Sequence, residues 1–271
     1  MIRWNVSSRA ADLAGADAYV ISIPKSGRTW LRTFLSAYFS EYSGSDFVLD
    51  PPRDLARGIP RVVFTHDRFE NRTKGSWWDK LRGKYLIPAH EPSSAKIILL
   101  ARDPRDTIVS FHAHLTHRAP DAPLAVRQMS LAELLRDPRF GIVAMVKAMN
   151  EWTNEMGGSG TFALFRYEDL RHDPVIEFRR VLQFLAVAQP DENAFAHALS
   201  FAEFDNMKKL EGAGAFSSEI LQPADRNDPE SYKVRRGKIG GFRDHLSAED
   251  LRLADAAICK LDPRFGYRPS S

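Results

Sequence analysis

Lys25, Ser26, Gly27, Arg28 and Thr29 interrupt an apolar run that begins at Tyr19 and resumes at Leu31. A cation, hydroxyls and a glycine in one short loop are residue types that hold an oxyanion, because backbone N–H groups can converge where the lysine adds a full charge. Four further groups share this character. His66 ends the run "RVVFTH" (61–66), and Arg102, Asp103, Pro104 and Arg105 follow "AKIILLA". Tyr167, Glu168 and Asp169 follow "TFALFR", while Arg235, Arg236 and Lys238 surround Gly237. Several cations, two glycine-bearing loops, one histidine and one tyrosine suit a multiply anionic ligand with a base beside it.

The elements that must position these residues follow from periodicity. Tyr19 to Ile23 is rich in β-branched residues and reads as a strand buried on both faces. Beyond the loop, with Thr29 as its cap, Leu31, Phe34, Leu35 and Tyr38 recur at three- and four-residue steps, the stripe of a helix packed on a sheet. Segments 61–66, 95–104 and 161–170 read as further strands, and 106–117, 141–156, 175–185 and 248–261 as helices. Alternating strands and helices predict an α/β fold, one domain over 1–271, with a central, mostly parallel sheet flanked by helices. In such sheets ligands bind beyond the carboxyl ends of the strands, where the first four of these groups fall. Segments 66–85 and 212–233 read as irregular, and the second leads into the basic glycine loop as a lid would.

Composition narrows the classes. The 271 residues carry a net charge of +3, which suits an anionic ligand but does not mark a nucleic-acid binder. No apolar stretch reaches the ~18–20 residues of a membrane span, and the N-terminus lacks a signal-peptide pattern. Cys259 is the only cysteine, so no intrachain disulfide can form and a reducing cytoplasm is expected. The first loop fails the pattern G-x-x-x-x-G-K-[ST], because no upstream glycine exists and the lysine precedes the glycine. Where a magnesium-holding aspartate would follow the third strand, the chain places Arg102, which grips phosphate but cannot hold a metal. "HAHLTH" (112–117) lacks an H-E-x-x-H arrangement or a cysteine partner, so no metal site is expected.

"PKSGRTW" (24–30), "RDPRDTIVS" (102–110) and "RRGKIGG" (235–241) resemble, in order, the three signature segments of the PAPS-dependent sulfotransferases of the cytosolic type. The resemblance implies the sulfotransferase fold with its P-loop-like phosphosulfate-binding loop. It also implies transfer of a sulfuryl group from 3′-phosphoadenosine 5′-phosphosulfate (PAPS) to a hydroxyl of a small-molecule acceptor. The product is adenosine 3′,5′-bisphosphate (PAP), and no metal is required. By that resemblance Lys25, Ser26, Gly27, Arg28 and Thr29 cradle the phosphosulfate, and Trp30 and Tyr167 contact adenine. Arg102, Ser110, Arg235, Arg236 and Gly237 hold the 3′-phosphate. His66 is the catalytic base, and Lys25 stabilises the leaving phosphate.

The chain departs from the family at places that suggest a divergent, bacterial branch. The lysine usual two residues before the catalytic histidine is Phe64 here, which leaves Arg68 as a candidate replacement. The family's dimerisation motif is not recognisable, so no oligomeric state carries over. Two rival readings remain at this stage: a P-loop-type kinase, which would need magnesium and a complete lysine loop, and a non-enzymatic polyanion or nucleic-acid binder, which would cluster its charge on one face.

Overall fold

The computed structural model describes residues 13, 15–50, 58–73, 77–81, 84–87, 95–120, 122–187, 189–216, 221–234 and 237–270. Four strands, β1 (Ala18–Ser22), β2 (Val62–Thr65), β3 (Lys96–Ala101) and β4 (Phe162–Arg166), form one sheet in the order β2-β1-β3-β4. Every pairing is parallel, with Ala18 opposite Val62 and Lys96, and Ile97 opposite Phe162. The chain leaves β1 towards β2 on one side and then crosses to β3 on the other. The crevice at a reversal of strand order is the usual ligand site of an open α/β sheet, and here it lies between the ends of β1 and β3.

Helices α1 (Arg28–Ser43), α2 (Asp67–Thr73) and α3 (Trp77–Leu81) precede β3. They are followed by α4 (Pro104–Arg118), α5 (Leu124–Arg127), α6 (Leu131–Arg136) and α7 (Ile142–Met156) before β4. After β4 come α8 (Tyr167–His172), α9 (Pro174–Phe184), α10 (Glu192–Phe201), α11 (Phe204–Ala213) and α12 (Ala248–Ile258).

Strand alternation divides the core into two layers. Tyr19, Ile21, Ile97 and Leu99 face one side, where Met145, Met149 and Trp152 of α7 and Ala254 and Ile258 of α12 cover them. Val20, Ile98 and Leu100 face the other, against Leu31, Phe34 and Tyr38 of α1, Phe178 and Val181 of α9, and Phe195 and Ala198 of α10. Each large side chain removed from water in this way contributes about 1.5–3 kcal/mol. Phe34 stacks on Phe178 at 3.9 Å between centroids, which fixes α1 against α9.

The strands and the four anticipated helices lie within a few residues of the positions expected from sequence. Segment 66–85 differs: it contains α2 and α3, short helices whose few apolar positions set up no readable period. The cap of α1 also differs, because the helix begins at Arg28 and its N-cap is Gly27, with no side-chain bond from Thr29. At α4, Asp103 accepts from the Arg105 amide and Pro104 occupies the first turn, a strong start signal immediately after β3.

Candidate active site

The loop leaving β1 turns through two left-handed residues, Lys25 at φ 74° and Gly27 at φ 92°. A Cβ on Gly27 would lie 2.5 Å from the Tyr167 ring, so both the turn and the neighbour require glycine. Ser26 is buried beneath the loop, its amide donating to the Ile23 carbonyl at 3.3 Å. It does not line the cavity above, whereas Lys25, Gly27, Arg28, Thr29 and Trp30 do.

Arg102, just past β3, joins two of the clusters. Its Nη1 donates to the Lys25 carbonyl at 3.1 Å and its Nη2 to the Lys238 carbonyl at 3.2 Å. Its guanidinium lies over the Tyr167 ring at 4.6 Å from the centroid, and its buried Nε has no hydrogen-bond partner among the described residues. Arg102 lines the cavity, and a guanidinium there suits an oxyanion. Tyr167 reaches the same loop, its hydroxyl donating to the Gly237 carbonyl at 3.5 Å. Arg105, by contrast, turns inward, bonding both oxygens of Asp103 and one of Asp255. Glu168 likewise accepts from the Asp103 amide at 2.9 Å and from the Tyr267 hydroxyl at 2.7 Å, tying strand ends together. Burial pushes the Glu168 carboxyl above its ordinary value.

The glycine loop is held from below by Asp106, whose carboxylate accepts from the Gly240 amide at 2.7 Å and the Phe242 amide at 2.9 Å. Burial raises the Asp106 carboxyl, against the opposing influence of Arg102 and these two amides. Gly237 sits at φ 59°, where a Cβ would meet the Phe204 ring at 2.8 Å. Trp30 is anchored by its Nε1, which donates to the Ala202 carbonyl at 2.8 Å. Its ring meets Tyr167 and Phe178 edge-on, and Arg171 lies over both Trp30 and Phe204, at 5.7 Å and 5.4 Å. Trp30, Phe204 and Tyr167 therefore line an aromatic wall beside the cations. Arg235 and Arg236 lie outside the described residues.

His66 follows β2. Its Nδ1 donates to the Ser22 carbonyl at 2.6 Å. A carbonyl can only accept, so this bond places the proton on Nδ1 and makes Nε2 of the neutral ring the acceptor. His66, Lys25, Arg102 and Ser110 line one cavity of about 1110 Å³. That volume lies at the upper end of the ~300–1,000 Å³ usual for small-molecule sites.

Arg68 does not fill the role suggested for it. It pairs with Glu155, lies 3.8 Å from Glu151, and is not among the cavity-lining residues. The guanidinium delivered to Phe64 is that of Arg32, 5.3 Å from the ring centroid and paired with Asp50. Burial lowers the Arg32 value to about 10.

Lys233 adds a further cation to the lining. Its main-chain N–H donates to Glu211, a fully buried carboxylate that also takes the Val234 amide at 2.9 Å and Arg118 at 3.0 Å. Burial pushes the Lys233 ammonium down to about 8, with Arg118, Arg28 and Arg32 adding to the fall and Glu211 opposing it. Asp106, Phe204, Arg171, Glu211 and Lys233 were not singled out from sequence. Only Asp106 lay within a signature segment, and the others lack any local pattern. Among the described residues no group of histidine, cysteine and carboxylate side chains could hold a metal ion. Within "HAHLTH", His112 bonds the Met129 carbonyl and His117 bonds Asp228.

A parallel sheet with an oxyanion loop after β1, a partnered histidine after β2 and an arginine after β3 defines a group-transfer enzyme acting on an anionic donor. The family model "Sulfotransferase domain" matches residues 16–261, and the chain belongs to that family. Curated relatives include cytosolic sulfotransferase 7 of Arabidopsis thaliana, 23% identical over 88% of this chain and 76% of its own length. Flavonol 3-sulfotransferase of Flaveria bidentis is 21% identical over 89% of this chain and 80% of its own. Among solved structures, a mouse sulfotransferase complexed with PAP matches with a TM-score of 0.61 and 18% identity, covering 93% of this chain and 88% of its own. Retinol dehydratase, solved with androsterone and PAP, matches at 0.61 and 16% identity over 94% of this chain and 82% of its own. The expected α/β sulfotransferase fold and enzyme class are met. No helix among the described residues is long and apolar enough to cross a membrane.

Proposed function

We propose that the protein transfers the sulfuryl group of PAPS to a hydroxyl of a small-molecule acceptor in the cytoplasm, releasing PAP. The observation that carries this reading is His66, with its tautomer set by the Ser22 carbonyl, lining the same cavity as the Lys25 loop. PAPS supplies an activated sulfuryl group on a phosphate leaving group. Lys25, Gly27, Arg28 and Thr29 hold the phosphosulfate end, with Ser26 shaping the loop from beneath. Arg102 and Ser110, with Arg235, Arg236 and Gly237, hold the 3′-phosphate, Arg102 and Ser110 lining the cavity. Trp30 and Tyr167 hold adenine, and Phe204 joins them.

His66 takes the hydroxyl proton at Nε2 as the acceptor oxygen bonds to sulfur. The sulfur–oxygen bond to the phosphate breaks, and Lys25 stabilises the charge left on that oxygen. Small acceptors agree with the androsterone and retinol of the retinol dehydratase complexes, and the cytoplasm with the cytosolic relatives.

The test is thermal unfolding with PAP against ATP and magnesium. A ligand at ~100 times its Kd stabilises the folded state by about 2.7 kcal/mol. Protection by PAP without metal is the expected result. Protection only by ATP with magnesium would replace this reading with a kinase.

A further inference from the structure

Directly after His66 the chain places Asp67, a buried carboxylate to which the donor reading gives no part. Its Oδ2 accepts from Nε1 of Trp152 at 2.8 Å, and its Oδ1 from the Ile87 amide at 3.0 Å. Trp152 is a fully buried residue of α7. The carboxylate therefore fastens the start of α2 to α7 and to segment 84–87 at once. Burying a carboxylate is costly even among donors, and an apolar residue of similar volume would fill the space at lower cost.

The backbone at this point is equally specific. Asp67 has φ 40°, in the left-handed region that aspartate and asparagine enter more readily than other residues with a side chain. Its amide donates to Oγ1 of Thr65 at 2.9 Å, which closes a tight turn around His66. The His66 carbonyl accepts the Phe69 and Glu70 amides at 3.0 and 3.3 Å. His66 is thus held at two points, its main chain by α2 and its ring by the Ser22 carbonyl of β1. If α2 swung away from α7, the His66 backbone would move with it and Nδ1 would leave the Ser22 carbonyl. Asp67 itself is not among the residues lining the cavity, so its influence on a ligand passes through His66.

Resting on the sulfotransferase reading, we propose that Asp67 is the positioning residue of the catalytic base. By tethering α2 to Trp152 and Ile87 it keeps the His66 ring on the Ser22 carbonyl, with Nε2 left to take the acceptor proton. The bonds of its carboxylate go to an indole and a main-chain amide. It therefore serves the base through the backbone, unlike the aspartate of a catalytic triad, which bonds the imidazole itself.

The test reads the His66 tautomer by nitrogen NMR of histidine-labelled protein, the His66 signal being identified by its loss in His66→Ala. The measurement is made at about pH 8.5, where an imidazole of ordinary pKa is neutral. Wild type is expected to carry the proton on Nδ1. Asp67→Asn keeps the left-handed turn but replaces one acceptor oxygen with a donor, and should show both tautomers in exchange. Trp152→Phe, which removes the indole donor from the other side, should move the signal the same way and serves if Asp67→Asn does not fold. Phe195→Leu, in the other core layer, should leave the signal as in wild type. The Kd for PAP should stay within about twofold in Asp67→Asn, as for independent sites. A wild-type His66 signal in both Asp67→Asn and Trp152→Phe would overturn the proposal. So would the same mixture of tautomers in Phe195→Leu, or a wild-type ring protonated on Nε2. Failure of wild-type protein to bind PAP would instead bring down the donor reading, whichever tautomer His66 holds.

Discussion

The imidazole of His66 donates through Nδ1 to the main-chain carbonyl of Ser22, 2.6 Å away, so a side chain from the end of β2 is oriented by the last residue of β1. The bond sets both the ring's direction and its tautomer. It ties the first residue after β2 to the end of the neighbouring strand β1, which anchors the proposed base to the sheet.

His66→Ala should therefore separate chemistry from binding. A positioned base contributes ~10²–10⁴-fold, and the turnover rate is expected to fall by that factor with the Kd for PAP nearly unchanged. Single-turnover rates beside PAP calorimetry check this. A variant turning over at the wild-type rate would remove His66 from the mechanism.

Gly27→Ala should damage both stability and donor binding. The residue sits at φ 92°, and the added methyl would stand 2.5 Å from the Tyr167 ring. Strain of this kind costs about 1–3 kcal/mol, and the displaced Tyr167 no longer supports Arg102. Urea unfolding and PAP titration of the variant are the measurements. Wild-type values in both would contradict the described turn.

Glu211→Gln addresses the support of the basic loop. The buried carboxylate holds Arg118 and the amides of Lys233 and Val234, directly before Arg235. Removing one partner of a buried ion pair costs about 3–5 kcal/mol. A large drop in the urea midpoint is expected, together with weaker PAP binding as the segment loosens. If stability falls while PAP binds as before, the segment does not position the donor.

Lys233 predicts a pH dependence with a definite sign. Its ordinary value of 10.5 falls to about 8 in the folded protein, burial being the first cause. Between these values the unfolded chain holds a proton that the folded one has released. Stability from this group therefore rises with pH from about 8 to about 10.5, and below about 8 the buried charge is a constant cost. Wild type should gain on Lys233→Met across that window in urea unfolding. A difference between the two that stays flat with pH would show that the ammonium is not buried as described.

Local pattern carried much of the fold. The buried run at Tyr19–Ile23 and the stripe Leu31, Phe34, Leu35 and Tyr38 are the observed β1 and α1 within a residue or two. The order of oxyanion loop, histidine and arginine was equally legible, because each follows a strand in a fold that collects strand ends on one edge, while the glycine loop was legible from its own motif. Short helices α2 and α3 were not, since five to seven residues complete too few turns to show a period.

The sequence by itself determined the strand–loop–helix units, the residue types at their ends and the family to which they belong, since these depend on neighbours a few positions apart. Only the tertiary structure decided that Arg32 and not Arg68 reaches Phe64, that Asp106 ties down the glycine loop, and that Lys233 lines the same cavity as Arg28 and Arg118. Those relationships join residues far apart in the chain. Their energies come from burial and Coulomb interaction across packed elements, for which no local spacing in the sequence is a sign.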